Sequence, residues 1–344
     1  MIRLTRPYIP DEAIEKCIEV LRSGNLVQGL YAEKFEQAIS DYLDVKHAMV
    51  VSSGTAALHL SLIALGIGPG DEVIVPAFSF PATANVVELV GAKPVFVDIK
   101  LDDFCIDASF IESVITNNTK AIIPVHEFGM PANMKPVLKL AEKYKLFIIE
   151  DAACALGAEY ENRKAGAFGN LGCFSFHPRK AITTGEGGVV VTNDISLAEK
   201  IRAIRNHGIE KVSGKTNFNY AGLNYRMTDF QAALGYFQLL EIETLVRRRI
   251  EIAEYYYDEL KGLKDIILPG VFTDRKSVFQ SFHILVGSKI GRNNLKDILY
   301  EIGIETNYGA NSIVTLNYYR EKYNPDRNKY PNSILANTQG LALP

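Results

Sequence analysis

A lysine that follows a short apolar stretch is the residue with the clearest capacity for covalent chemistry. Residues 173–176 are Cys-Phe-Ser-Phe, and after them come His177, Pro178, Arg179 and Lys180 and then a loop rich in hydroxyl groups and glycine. Because proline prevents the ordinary continuation of a strand, Lys180 is expected on a rigid loop at a strand end. There its amine can form a Schiff base with an aldehyde cofactor, provided that the surroundings keep part of the amine neutral. Taken alone, however, Lys180 is more simply one of many solvated lysines.

A carboxylate lies at the end of another apolar stretch, upstream of the lysine. Residues 147–149 are Phe-Ile-Ile, and Glu150 and Asp151 follow them directly. A carboxylate at a strand end can face the pyridine nitrogen of pyridoxal phosphate (PLP) and keep it protonated, so that the ring serves as an electron sink. Asp151 could equally be a turn or helix N-cap residue, and the local pattern does not favour one role over the other.

A third stretch with chemical potential runs from a predicted strand into a predicted helix through small residues, and it reads Ser52-Ser53-Gly54-Thr55-Ala56. The free N–H groups and the dipole at a helix N-terminus can bind a phosphate group, and the Thr55 hydroxyl can add a donor. A plain capped helix is the simpler interpretation of this stretch by itself.

Two glycine-containing segments resemble nucleotide-binding motifs without meeting their requirements. Residues 213–216, Ser-Gly-Lys-Thr, resemble the end of a P-loop, but Ile209 stands where the first glycine belongs and no apolar strand precedes the segment. Residues 66–70, Gly-Ile-Gly-Pro-Gly, precede a predicted strand instead of following one, which indicates a turn. A Rossmann-type dehydrogenase therefore lacks its glycine fingerprint here.

The composition is that of an ordinary soluble protein. The chain has 344 residues, 47% of them hydrophobic and 22% charged, and its formal net charge is −3, which provides no basic field for a nucleic acid. No apolar run is long enough to span a bilayer. The four cysteines are widely spaced and form no CxxC pair, which argues against a metal site or a disulfide framework and favours the reducing cytoplasm.

Short β-branched stretches alternate with helical patterns over most of the chain. Two amphipathic helices are predicted at about 11–23 and 31–43. Strands are predicted near 48–52, 72–75, 94–97, 120–125, 146–150, 173–176 and 187–192, with helices in most of the gaps. Several of these strands are continuously apolar, which is typical of strands buried on both faces by helices. The pattern predicts an α/β fold with a large, mostly parallel sheet and ligand sites beyond the carboxyl ends of its strands.

The pattern changes from about residue 228. The elements predicted from there on are a helix over about 231–248, a second helix over 250–260, a strand near 282–286, a helix near 295–301 and a polar stretch at 305–332. We therefore expect two domains. A large α/β domain with an N-terminal helical segment spans 1–245, and a small α+β domain spans 246–344.

The order and location of these motifs together resemble the sugar aminotransferase family of the DegT/StrS type, a group of fold-type I PLP enzymes. The resemblance runs nearly from end to end of the chain. The motifs that carry it are Ser53-Gly54-Thr55-Ala56-Ala57-Leu58, Pro69-Gly70-Asp71-Glu72-Val73, Glu150-Asp151-Ala152-Ala153, Phe174-Ser175-Phe176-His177-Pro178-Arg179-Lys180, Thr184-Gly185-Glu186-Gly187-Gly188 and Asn224-Tyr225-Arg226-Met227-Thr228-Asp229. Several of these motifs are long and specific, so chance similarity is a poor explanation.

The resemblance implies a role for each matching residue at the cofactor. Lys180 is implied to hold PLP as a Schiff base and to move a proton between substrate and cofactor, and Asp151 is implied to pair with the pyridine nitrogen. Phe80 is implied to stack on the ring, with Phe78 close enough to be a rival. Cys154 stands where many family members carry a side chain that hydrogen-bonds the 3′-oxygen of the cofactor. The residues implied to bind the cofactor phosphate are Gly54, Thr55, Ala56 and Ser175.

The resemblance also implies an active site that two subunits share. Asn224 is implied to reach the phosphate from the neighbouring subunit, which predicts a homodimer. Glu186 and Arg226 lie in motifs near the substrate pocket, and Tyr308 falls where sugar-binding residues vary. Relatives usually continue beyond the point where this sequence stops, so a truncated small domain is one interpretation of the chain.

The activity implied is the transfer of an amino group from glutamate or glutamine to a ketone on a nucleotide-linked sugar, by way of the pyridoxamine phosphate form of the cofactor. A dehydratase of the same fold is the nearest rival, but such relatives usually carry histidine in place of the Schiff-base lysine. A regulatory relative that binds PLP or a sugar nucleotide without turnover is a second rival, and its support is the missing C-terminal segment.

Overall fold

The computed structural model describes residues 1–212 and 214–344. Ser213, the first residue of the P-loop-like segment, lies outside the described residues. The α-helices are α1 (Asp11–Ser23), α2 (Leu30–Leu43), α3 (Gly54–Ala64), α4 (Ala82–Leu89), α5 (Ala108–Ile111), α6 (Met134–Tyr144), α7 (Ile195–Ile204), α8 (Asp229–Leu239), α9 (Ile242–Leu260), α10 (Arg292–Glu301), α11 (Asn317–Tyr323) and α12 (Pro331–Gln339). The two predicted N-terminal helices are confirmed to within one residue.

The strands alternate with these helices over much of the chain. They are β1 (His47–Val51), β2 (Glu72–Pro76), β3 (Phe78–Ser79), β4 (Lys93–Val97), β5 (Thr119–Ile122), β6 (Phe147–Asp151), β7 (Glu159–Tyr160), β8 (Arg163–Lys164), β9 (Leu171–Ser175), β10 (Gly188–Thr192), β11 (Ile209–Val212), β12 (Lys215–Phe218), β13 (Ile266–Ile267), β14 (Arg275–Lys276), β15 (Phe282–Val286), β16 (Asn311–Ser312) and β17 (Gly340–Leu343).

Seven strands form the main sheet, in the order β1-β10-β9-β6-β5-β2-β4. The pairs β9–β6, β6–β5, β5–β2 and β2–β4 are parallel, whereas β10 runs antiparallel to both of its neighbours. Six strands therefore point in one direction, and their carboxyl ends meet at one edge of the sheet. The predicted large, mostly parallel α/β sheet is confirmed.

The sheet is buried because its strands are apolar on both faces. Every residue of β2 and β10 is buried. Helix α3 is equally enclosed, with eight of its eleven residues buried, and this explains why its sequence is apolar all round instead of amphipathic. The carboxyl edge of the sheet is thus held by a packed interior, which fixes the positions of the loops that leave it.

One helix boundary predicted from the sequence is wrong. The break lies between Leu239 and Ile242, not near residue 249, and α9 then continues through 248–250 without interruption. The carbonyl of Glu241 accepts the N–H groups of Thr244 and Leu245 and so starts the second helix. Arginine is a good helix former, so the basic stretch that follows does not end the helix.

The C-terminal part adds a small antiparallel sheet, in the order β13-β15-β17. The predicted strand near 282–286 and helix near 295–301 are confirmed as β15 and α10. Strands β14 and β16 instead pair with β7 and β3 from the first half of the chain, and α9 is continuous across residues 245 and 246. The division into domains at that point stays a prediction. Among the helices described, none is long and apolar enough to cross a membrane.

Candidate active site

A cavity of about 630 Å³ opens at the carboxyl edge of the main sheet. Loops that follow β1, β2, β5, β6 and β9 contribute to its wall, as expected for a ligand site in a mostly parallel sheet. The residues of these loops that line it include Gly54, Thr55, Phe80, Glu127, Asp151, Cys154, Ser175 and Lys180. Its volume is within the range of small-molecule sites in proteins.

Lys180 lies in the loop after β9, as the sequence predicted. Its backbone N–H donates to the carbonyl of His177 at 2.8 Å, and its own carbonyl accepts from the Arg249 guanidinium at 3.4 Å. Its Nζ atom donates to the Sγ atom of Cys154 at 3.0 Å. The loop is thus fixed from both sides, and the amine points into the cavity wall.

Charged and polar neighbours counteract the effect of burial on this amine. The sequence interpretation required surroundings that keep part of the amine neutral. Burial does lower the pKa of Lys180, but Cys154, Asp151 and Glu127 outweigh burial and raise that pKa above its ordinary value. The reason is that three acidic groups converge on one amine, and this convergence is a property of the folded chain.

Asp151 is the last residue of β6 and is buried. Its Oδ2 atom accepts the Thr83 hydroxyl at 2.7 Å, and its Oδ1 atom accepts the N–H of Ala153 at 3.2 Å. Burial raises the pKa of Asp151, and these hydrogen bonds together with the Lys180 charge oppose the rise. The carboxylate is therefore oriented by two fixed donors at the wall of the cavity.

The neighbouring Glu150 points to the other side of the strand, because successive side chains alternate in a strand. Its Oε2 atom accepts from His126 Nε2 at 2.9 Å and from the N–H of Gly166 at 2.8 Å. Its Oε1 atom accepts the N–H groups of Phe168 and Gly169, each at 2.6 Å. This network ties the end of β6 to a loop behind the sheet and so fixes the backbone that carries the aspartate.

The N-terminus of α3 closes another side of the cavity. Ser53 caps the helix by accepting the N–H of Ala56 at 3.0 Å. A Cβ atom on Gly54 would lie 2.8 Å from the Cβ atom of Ser175, so only glycine lets β9 approach the helix end this closely. Gly54, Thr55 and Ser175 face the cavity, whereas Ala56 is buried behind it.

Two phenylalanines were rivals for the position next to the cofactor ring, and the structure separates them. Phe80 is 60% exposed and lines the cavity. Phe78 is fully buried and packs against Phe104 and Phe128 in the core. Of the two, Phe80 alone is available to a ligand.

The residues expected at the substrate are only partly brought to this cavity. Glu186 lines it. Arg226 lies outside it and donates to the Asn206 side chain at 2.6 Å. Tyr308 also lies outside, with the Arg292 guanidinium 4.1 Å above its ring, and Asn224 is exposed away from the cavity of its own chain.

Several residues of the cavity wall were missed by the sequence interpretation. Thr83 and Glu127 contact or face the predicted catalytic groups, and Arg249 reaches the lysine loop from α9. Residues 3–6 at the N-terminus also line the cavity, because Leu4 donates its N–H to Glu305 at 3.0 Å. Only the hydroxyl of Thr83, in the motif around Phe80, gave a local signal. The other contacts join residues far apart in the sequence.

The side chains around the cavity fit PLP. An amine, a buried carboxylate and a helix N-terminus are the groups that an aldehyde, a pyridine nitrogen and a phosphate require. The position of Gly54, where any Cβ atom would collide with Ser175, leaves backbone N–H groups accessible to an anion. The arrangement is one in which a single cofactor can meet all three groups.

Comparisons with known proteins agree with this arrangement. The model of the DegT/DnrJ/EryC1/StrS aminotransferase family matches residues 7–344. GDP-perosamine synthase of Caulobacter vibrioides is 42% identical over 281 residues, which are 81% of this chain and 76% of that protein.

Solved structures of similar proteins superpose closely on the chain. PseC of Helicobacter pylori, an aminotransferase involved in the biosynthesis of pseudoaminic acid, has a TM-score of 0.94 at 33% identity and covers 100% of this chain and 93% of its own. The PMP-form of a putative sugar aminotransferase, Spr1654 of Streptococcus pneumoniae, also has a TM-score of 0.94, at 29% identity over 100% of this chain and 92% of its own. The chain therefore belongs to the DegT/DnrJ/EryC1/StrS aminotransferase family, and its cofactor is pyridoxal phosphate.

Proposed function

We propose that this enzyme transfers an amino group from glutamate or glutamine to a ketone on a nucleotide-linked sugar. The observation that carries the proposal is the placement of the Lys180 amine and the Asp151 carboxylate in one cavity at the carboxyl edge of the sheet. The names of similar proteins, GDP-perosamine synthase and an aminotransferase of pseudoaminic acid biosynthesis, support a nucleotide sugar as acceptor.

The residues of the cavity divide the work of the reaction between them. When bound, PLP would supply an aldehyde carbon able to carry the amino group between donor and ketone, and a protonated ring able to act as an electron sink. Asp151 holds the proton on the pyridine nitrogen, and Thr83 keeps that carboxylate in place. Lys180 Nζ takes and returns the proton at the substrate carbon. Cys154 holds Nζ by the hydrogen bond described above.

The cavity is also suited to an anionic substrate. Four arginines line it, and they are Arg3, Arg6, Arg179 and Arg249. Guanidinium groups pair well with phosphates and carboxylates. We infer that this arginine group receives the diphosphate of the nucleotide sugar and the carboxylates of the amino donor. Glu186 would then contact the sugar. Arg226 and Tyr308 would take part only through another subunit or a movement, since neither lines this cavity.

We also propose a homodimer in the cytoplasm. Asn224 is exposed and does not line the cavity of its own chain, so it can contact a cofactor phosphate only in a second copy. The remaining phosphate contacts come from Gly54, Thr55 and Ser175. The four cysteines are unpaired, which is in keeping with a reducing compartment.

The cofactor attachment is tested on the purified protein. We expect a yellow protein that borohydride bleaches, with the mass of the cofactor fixed on the peptide that contains Lys180. The Lys180→Ala variant should carry no such adduct, whereas Lys120→Ala, which removes an exposed lysine of β5, should keep it. A colourless wild-type protein without an adduct would refute the proposal. A yellow protein whose absorbance does not change on addition of glutamate, glutamine or any keto-sugar would favour a regulatory protein without turnover.

The shared active site is tested by mixing two inactive variants. Lys180→Ala and Asn224→Ala chains should each be impaired, and mixed dimers should regain activity, because one of their two sites then has both residues intact. No recovery under conditions where subunits exchange would contradict the dimer that we propose.

A further inference from the structure

Glu127 is a buried carboxyl group in the cavity wall with no role in the reaction as described so far. It is 5% exposed and lines the cavity together with Asp151, Cys154 and Lys180. Its Oε2 atom has no hydrogen-bond partner among residues 1–212 and 214–344. A buried carboxylate oxygen without a donor is unfavourable, so the group either takes up a proton or has its charge compensated by a positive group nearby.

The backbone holds this carboxyl group in place. Residues 127–129 form a single 3-10 turn in which Phe128 has a φ of 55°. The ring of Phe128 stacks on His283 with 4.1 Å between their centroids. A Cβ atom on Gly129 would lie 2.8 Å from a methyl group of Val278. The turn is thus clamped against the C-terminal part of the chain, and the carboxyl cannot leave the wall without losing these contacts.

Lys180 is a positive group in the wall of the same cavity as Glu127. Burial raises the pKa of Glu127 to about 7, the charge of Asp151 adds to the rise, and the charge of Lys180 opposes it. The charge of Glu127 in turn helps to raise the pKa of Lys180. Asp151 accepts hydrogen bonds from Thr83 and Ala153. Ser79 and the Phe128 backbone also lower the pKa of Glu127, but its Oε2 atom has no donor among the described residues. That oxygen is therefore open to the charge of Lys180.

The other titratable groups near Glu127 have partners or surroundings of their own. Arg249 lines the same cavity and donates to the Lys180 carbonyl, and His126 is hydrogen-bonded to Glu150. Cys105 and Cys154 are thiols whose pKa values burial raises. Behind the turn, burial lowers the pKa of His283 to about 3, Asp103 is paired with Arg275, and Asp102 is a further acidic side chain.

We propose that Glu127 is a positioning residue of the active site whose carboxylate holds the Lys180 amine in its protonated form. This inference rests on the proposed role of Lys180. Glu127 acts through the lysine and sets the pH at which the amine becomes neutral and able to react with an aldehyde. The charge is supplied from a turn that belongs to neither the lysine loop nor β6, so it can be removed without altering either.

The test measures the reactivity of the amine without any cofactor. The full chain is freed of cofactor and treated with an amine-acylating reagent over a range of pH, and the labelling of the Lys180 peptide is followed by mass spectrometry, with the exposed Lys120 as internal reference. In Glu127→Gln we expect the midpoint for Lys180 to fall by up to about one pH unit, because Cys154 and Asp151 raise the pKa of Lys180 more than Glu127 does. A fall of one unit corresponds to an about tenfold faster reaction below the midpoint.

Three variants make the result specific. Glu127→Met, which leaves no polar group in the buried position, should give the same fall and covers the case in which Glu127→Gln does not fold. Glu127→Asp should stay nearer to the wild type. Glu186→Gln, an exposed carboxyl of the same cavity, should leave the midpoint in place. An unchanged midpoint in folded Glu127→Gln or Glu127→Met, or an equal fall in Glu186→Gln, would overturn the inference.

Failure of the proposed function would be seen separately. If the wild-type chain takes up no PLP, the aminotransferase proposal fails. The labelling midpoints still report on the interaction between Glu127 and Lys180. The uptake of PLP, monitored by absorbance, gives a second readout. In Glu127→Gln the pH dependence of the uptake rate should shift to lower pH, as the labelling midpoint does.

Discussion

The hydroxyl of Thr83 offers a direct test of how the chain prepares the carboxylate for its cofactor. Thr83 donates to Oδ2 of Asp151 at 2.7 Å, and the only other hydrogen bond described for that carboxylate is the longer one from Ala153 N–H, at 3.2 Å. Thr83→Val removes the donor and keeps the shape of the side chain. The change also removes the contact between the Thr83 and Ser79 hydroxyls at 3.2 Å, whereas the rest of the helix α4 that carries residue 83 is left unchanged.

The expected size of the effect follows from this hydrogen bond. A hydrogen bond to a charged group contributes about 1.5–3 kcal/mol. Removing this hydrogen bond destabilises mainly the cofactor-bound protein, because there the carboxylate must be ionised. In the cofactor-free protein, burial already raises the pKa of Asp151. Since about 1.4 kcal/mol corresponds to a factor of ten, we expect the cofactor to bind at least roughly tenfold more weakly to Thr83→Val.

The pH dependence has a definite sign. The Thr83 hydrogen bond lowers the pKa of Asp151, so its removal raises that pKa further and leaves more of the carboxyl protonated as the pH falls. The loss of affinity should therefore grow on the acidic side and shrink on the alkaline side.

The assay is a titration of the cofactor-free protein with PLP, followed by absorbance at several pH values, with a melting curve to confirm that the variant is folded. Thr338→Val, an exposed threonine of α12 outside the cavity, is the matched control and should bind as the wild type does. An affinity for Thr83→Val within a factor of two of the wild type would refute the reasoning.

Two further predictions concern stability. Glu150→Gln should lower the free energy of unfolding by at least about 3 kcal/mol in a urea titration. The carboxylate accepts from the imidazole and from three backbone N–H groups, whereas an amide has a single accepting oxygen and its NH2 group would face donors. A loss below about 1 kcal/mol would show that the network is not needed. Burial lowers the pKa of His283 to about 3, so the folded protein keeps this group neutral while the unfolded chain binds a proton below about pH 6.5. The free energy of unfolding should thus fall as the pH drops from about 6.5 towards 3, and this group contributes about 1.4 kcal/mol per pH unit. In His283→Phe the dependence of stability on pH should be weaker. An identical slope in the variant would rule out His283 as its source.

The elements of the large sheet could be predicted from the sequence because each has a local signal. Continuous apolar stretches such as 121–123 and 147–149 indicate strands buried on both faces, and both lie in or beside strands of the sheet. The break between α8 and α9 could not be placed in this way. It depends on which carbonyl starts the second helix, and a local propensity such as that of the arginines around 249 favours a helix without placing its first residue.

The sequence by itself determined where the reactive side chains stand in the chain. Lys180 and Asp151 each follow an apolar strand, and the carboxyl ends of parallel strands must meet at one edge. That rule places both residues at the same edge, and the pairing of β6 with β9 then brings them to a single cavity. The family to which the chain belongs could be identified from the same motifs, since they are contiguous in sequence.

Only the tertiary structure decided the electrostatics of the site. The charge of the Lys180 amine depends on Cys154, Asp151 and Glu127, which come from separate segments and act through space. Likewise Phe80 and Phe78 differ by two residues in the sequence, yet packing in the core buries one and leaves the other at the cavity. Desolvation and charge interactions depend on distances between distant parts of the chain, and a linear pattern of residue types does not contain those distances.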